Sequence, residues 1–182
     1  ENPEIGLAKI LNGIPVNNND GTYTLTYRLK VENTGDIVLN DVQVVDNLNT
    51  TFPGLTLSAV TAVVVTDPPS TNWTINASYD GLTAGDTNLL GSSNSLVVGE
   101  YGEIDITVTV ALGASLGPFS NSATASGTSP GGTTDTDISE NGTDVDPEND
   151  GPDDNSTPTP VTFTENPEIG LAKILNGIPV NN

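Results

Sequence analysis

Few residues of the chain could carry chemistry, and three of them fall at positions that invite it. Lys9 alternates in phase with Ile5, Leu7 and Leu11, Asp46 with Val42 and Val44, and Asn121 with Phe119 and Ala123. Strand side chains alternate between two faces, so each of the three polar residues shares a face with apolar neighbours and turns toward a core. A buried lysine, carboxylate and asparagine from an early, a middle and a late strand are what an autocatalytic Lys–Asn isopeptide bond needs. The neutral amine attacks the amide carbon while a protonated acid polarises its oxygen, and burial disfavours the charged form of amine and acid alike. Plainer readings exist for the same residues: Lys9 snorkelling at an edge, Asp46 capping a turn, and Asn121 bonding backbone.

A second constellation is acidic. Residues 135–155 hold nine carboxylates and no base. Within them Asp144, Asp146, Glu148, Asp150, Asp153 and Asp154 resemble the oxygen spacing of a calcium loop. Counted from Asp146, oxygens stand at positions 1, 3 and 5, a glycine at 6, and acids at 8 and 9. Hard cations want several oxygens on a tight turn. Thr157 stands where a helix–loop–helix site has its bidentate acid, and Pro147 and Pro152 interrupt the run, so a linker-clamping site is the closer analogue. The alternative is a solvated, self-repelling spacer. Calcium is thus the one candidate cofactor, and no cofactor is required.

Composition excludes much else. Cysteine, histidine and methionine are absent, which removes thiol catalysis, imidazole acid–base chemistry, soft metal sites and disulfides. The 24 acidic residues face only Lys9, Arg28, Lys30 and Lys173, for a formal charge of −20. Such a surface repels nucleic acid and anionic membranes, and runs such as Val63-Val64-Val65 are too short for membrane insertion. Trp73 and Tyr79 share inward parity, which favours core packing over a sugar-stacking platform. Asn49, Asn72, Asn76, Asn141 and Asn155 each open an N-x-S/T triplet, a frequent coincidence in a chain so rich in these residues. The acids cluster in an apolar-poor stretch rather than across a cleft, so no catalytic residues are assigned and the chain reads as a non-enzyme.

The elements that must position these groups are strands. Residues 22–32 alternate strictly, with Tyr23, Leu25, Tyr27, Leu29 and Val31 on one face. Residues 103–112, 73–79 and 119–126 repeat the pattern, and mixed strands are expected at 5–11, 37–45, 55–65, 96–98 and 161–163. Turn signals separate them, among them Asn12-Gly13, Asp20-Gly21 and Pro130-Gly131-Gly132, and no segment carries a helical stripe. Eight or nine short strands predict an all-β, immunoglobulin-like Greek-key sandwich. Residues 1–134 are expected to form it, with 135–164 an acidic, proline-containing linker or loop that ends in a final strand.

Residues 165–182 repeat residues 1–18 letter for letter, an offset of 165 − 1 = 164 residues. Identity over that span reads as one tandem repeat followed by the first strand of the next, with Ile169, Leu171, Lys173 and Leu175 as the inter-repeat strand.

Leu29-Lys-Val-Glu-Asn-Thr-Gly-Asp, Leu39-Asn-Asp-Val-Gln-Val-Val-Asp-Asn-Leu and Asn121-Ser-Ala-Thr-Ala-Ser-Gly together resemble the DUF11-type repeat of bacterial surface proteins over residues 5–128. The acidic tail is similar to linkers in very large surface proteins of Bacteroidetes-like bacteria. The resemblance implies an extracellular sandwich repeated many times. The expected function is a structural extender of a long adhesin, stalk or filament on the cell surface. Its partners would be neighbouring copies, joined by end-to-end contact or strand pairing. A filament subunit assembled by strand donation and a carbohydrate- or ligand-binding module are the rivals.

Overall fold

The alternating stretches form two sheets that face each other. In the computed structural model, which describes residues 1–83, 85–149 and 155–177, the larger sheet is built on β1 (Ile5–Leu11), β2 (Val16–Asn17), β3 (Thr22–Asn33), β5 (Thr56–Thr66), β7 (Tyr101–Ala111) and β11 (Glu140–Asn141). Its order is β11-β1-β3-β7-β5, with β2 also paired to β3. The second sheet holds β4 (Leu39–Asp46), β6 (Ser95–Leu96), β9 (Ala123–Thr128) and β10 (Thr134–Ile138), in the order β10-β9-β4-β6. A short pair, β8 (Phe119–Asn121) with β12 (Thr159–Val161), forms a separate two-stranded sheet. Leu7, Leu29 and Ile106 from one sheet and Val42, Val44 and Ala125 from the other meet in one apolar core. The chain is therefore the all-β, immunoglobulin-like sandwich that its periodicity predicts.

The central pair shows why the pattern folds this way. Tyr23, Leu25, Tyr27, Leu29 and Val31 of β3 are buried, and Ile104, Ile106, Val108 and Val110 of β7 pack beside them. The outer face is laced by polar pairs: Thr24 with Thr109 at 3.1 Å, Thr26 with Thr107 at 2.9 Å, and a two-pronged Arg28–Asp105 bond at 2.8 Å. Cross-strand pairs of this kind contribute about 0.2–1 kcal/mol each.

Two glycines are set by close approach. A side chain at Gly35 would meet the Asn2 carbonyl at 2.5 Å, and one at Gly102 would meet the Trp73 ring at 2.5 Å. Asn33, buried just before the first of these turns, donates to the Ile37 and Leu96 carbonyls at 2.8 Å each and accepts from Gly35 N–H at 3.1 Å.

Two expectations are corrected, and one short helical turn is added to the strands. Residues 73–79 form no strand. Asn76 Oδ1 accepts from Ser78 N–H at 3.0 Å, and Tyr79 N–H donates to the Asn76 carbonyl at 3.0 Å, so local side-chain bonding wins over a ladder. Trp73 and Tyr79 still reach the core. One helical turn, α1 (Leu48–Thr51), follows β4, capped by Asn47, whose side chain accepts from Asn49 N–H at 3.1 Å.

The second correction is that the sandwich does not stop at Thr134. Residues 134–138 and 140–141 are β10 and β11, and Val145, Val161 and Phe163 are buried. The acidic stretch folds without an apolar face because its carboxylates accept backbone bonds. Asp135 Oδ2 takes Ile5 N–H at 2.9 Å and Asp137 Oδ2 takes Leu7 N–H at 2.6 Å.

Candidate functional site

Lys9, Asp46 and Asn121 are each fully buried. Lys9 sits in mid-strand on β1, opposite Leu29 of β3 on one side and Asn141 of β11 on the other. Asp46 closes β4 opposite Ala123, and its N–H donates to the Thr87 carbonyl at 3.1 Å. Asn121 closes β8 opposite Thr159, whose hydroxyl donates to the Lys9 carbonyl at 2.8 Å. These ladders bring three distant stretches of chain to one interior point.

The amine and the acid meet directly: Lys9 Nζ donates to Asp46 Oδ2, with neither side chain exposed. The Nζ also lies over the Tyr27 ring, 4.7 Å from its centroid. Burial lowers the Lys9 pKa from the ordinary lysine value, while the Asp46 charge and hydrogen bond oppose that shift. Burial raises the pKa of Tyr27 first, and the Asp46 charge raises it further. The Asn121 amide lowers it in part without meeting the geometry of a hydrogen bond. Tyr79 shifts upward likewise, by burial and then by the charges of Asp46 and Asp80. Tyr27 thus lies under the Lys9 amine and feels the charge of Asp46.

What sets the site apart is its unused bonding capacity. Both amide atoms of Asn121, the second carboxylate oxygen of Asp46, and the Tyr27 and Tyr79 hydroxyls are buried without a hydrogen-bond partner among the described residues. Each such group costs about 1–3 kcal/mol, and buried polar atoms are nearly always satisfied. Chemically the cluster holds a shielded amine, a carboxyl group hydrogen-bonded to it, and an amide carbon.

Alternation along β1, β4 and β8 is legible in the sequence, and so is the inward parity of Tyr27. The register that sets Lys9 opposite Leu29, two residues from Tyr27, is not. Nor does sequence alone single out Thr159 among so many threonines.

The acidic run is arranged differently. Asp144 Oδ1 accepts from Asp146 N–H at 3.3 Å, Asp146 Oδ1 accepts from Asn149 N–H at 2.8 Å, and Glu148 accepts from the Asn155 amide. Asp150, Asp153 and Asp154 lie outside the described residues. Among the described residues no group of three acids gathers as a metal site would.

The terminal copy contrasts with its twin. Ile5, Leu7 and Lys9 are 0% exposed, whereas Ile169 is 99%, Leu171 95% and Leu175 78% exposed, and Lys173 is exposed as well. Residues 165–177 carry no strand. The Thr164 carbonyl before them accepts from the Tyr23 hydroxyl at 2.8 Å. No helix among the described residues is long and apolar enough to cross a membrane.

No family model matches the chain, and no curated protein matches it. Among solved structures it is similar to BcpA, the major pilin subunit of Bacillus cereus, at 17% identity and a TM-score of 0.37. The match covers 90% of this chain and 41% of that one, so the chain spans less than half the length of the pilin.

Proposed function

We propose that the chain is a structural extender, one period of a tandem array in a long extracellular bacterial adhesin, stalk or filament. The observation that carries this reading is the unequal fate of one sequence. ENPEIGLAKIL at 1–11 contains a strand locked into the large sheet, and the same letters at 165–175 leave their apolar side chains in solvent. Exposed apolar side chains in such a row mark a contact surface. In an array the downstream strands of the next period would cover them. The acidic, cysteine-free composition suits an extracellular shaft, and the motifs that resemble DUF11-type repeats agree with it.

A chain carrying two complete periods tests the reading. Small-angle scattering should give a particle close to twice as long as one period, with each domain melting as it does alone. A particle no longer than one period, with the domains side by side, would count against an extender. The same exposed segment, whose first copy is β1, also favours a second reading, donation to a neighbouring subunit. It predicts concentration-dependent assembly in the sedimentation velocity of the single period, whereas the extender predicts a monomer.

A further inference from the structure

We infer that Lys9 and Asn121 become joined by an isopeptide bond that forms inside the folded domain, with Asp46 as the acid that moves the protons. This goes beyond the extender reading and does not depend on it.

The argument begins with what is unpaired. An asparagine whose amide nitrogen and oxygen both lack partners among the described residues while fully buried is a poor choice for packing, where an apolar side chain of similar volume would serve better. Its neighbours complement it. Asp46 holds Lys9 through Oδ2 and keeps Oδ1 free among the described residues. Asn121 lies two residues from Ala123, the residue opposite Asp46, so it is the diagonal neighbour on that face. Long side chains reach across such diagonals, about 7–8 Å between backbones. Thr159 pins the Lys9 carbonyl beside Asn121 from the other direction. Tyr27, lying under the Nζ, carries the influence of both Asp46 and Asn121. The direction of the Lys9 shift agrees, since burial favours the neutral amine.

The step balances within the three residues. The proton shared by Lys9 and Asp46 passes to the carboxylate, leaving a neutral amine and a carboxylic acid. The Nζ lone pair attacks Asn121 Cγ while the acid donates its hydrogen bond to Asn121 Oδ1. A C–N bond forms, and the tetrahedral carbon collapses by breaking its bond to Nδ2. Asp46 carries one proton from Nζ to the departing nitrogen, and ammonia leaves. No oxidant, metal or external nucleophile takes part. The product amide keeps a carbonyl that protonated Asp46 can serve, so the bonding capacity left open before the reaction is used after it.

The intact mass of the purified, folded chain tests this. The expected value lies about 17 Da below the sequence mass, one ammonia lost, and fragmentation should give a branched peptide joining the Lys9 and Asn121 segments. A succinimide at Asn12-Gly13 would lose the same mass, so the branched peptide and a Lys9→Met variant decide between them. Lys9→Met should show no deficit, and Asp46→Ala, which keeps both reacting groups, should show none either. A folded native chain at full mass overturns the proposal, and so does a deficit that survives in Lys9→Met. If Asp46→Ala folds and still loses ammonia, Asp46 is not the acid. Should either variant fail to fold, the mass and peptide map of the native chain still decide.

Discussion

On the outer side of β1 the backbone N–H groups of Ile5 and Leu7 donate to the side chains of Asp135 and Asp137. A carboxylate here takes the place of a strand carbonyl, and a charged acceptor makes a stronger bond than a neutral one. Asp137 is 5% exposed and the Leu7 N–H is buried with it. Asp137→Ala would orphan that donor, so the unfolding free energy should drop by about 1–3 kcal/mol in urea titration. Asp137→Asn keeps an acceptor and should lose less. Equal loss from both variants would mean that charge, not acceptance, matters there.

At the scale of elements, strands with one buried and one wet face were readable from residue order. The expected boundaries at 5–11 match β1, and those at 22–32 and 103–112 fall within a residue or two of β3 and β7. Failures came where side chains bonded backbone instead of alternating. Asn76 folds its own neighbours into a turn, and Asp135 and Asp137 build a sheet edge from a stretch that looks unable to fold. Of the buried cluster, the inward parity of Lys9, Asp46 and Asn121 was legible, because parity is local. Their convergence depends on cross-strand register, which local pattern does not contain. The terminal copy belongs to the same scale. Removing residues 165–182 should leave the melting temperature within about 2 °C of the full chain, because their described part adds no strand to either sheet. A larger fall would show that the segment supports this domain rather than the next.

For the molecule as a whole, charge is the dominant long-range term. Three of the four basic residues are tied to carboxylates: Lys9 to Asp46, Arg28 to Asp105 and Lys30 to Glu32. The remaining acids repel one another across a chain with a formal charge of −20. Salt screens such repulsion, with a Debye length that falls from about 30 Å at 0.01 M to about 8 Å at 0.15 M. Thermal melts over that range of sodium chloride should move upward with salt. A downward shift would mean that the ion pairs outweigh the repulsion.

If the chain is one period of an array, as proposed above, the edge of the large sheet gives that array a mechanical character. β1 lies parallel to β11, with Lys9 opposite Asn141, and the Thr159 hydroxyl of β12 holds the Lys9 carbonyl. The first strand of the domain and the strands near its end therefore run side by side. Under the extender reading, tension enters at the start of β1 and leaves beyond β12. A parallel pair pulled from opposite ends is loaded in shear, its bonds strained together, whereas a hairpin pulled from one end unzips a rung at a time. Before Lys9 and Asn121 are joined, a shaft of such domains would yield late and abruptly, at a force set by the rate of unfolding rather than by the free energy of the fold. Once they are joined, tension passes from β1 to β8 through the bond and spares the chain between them.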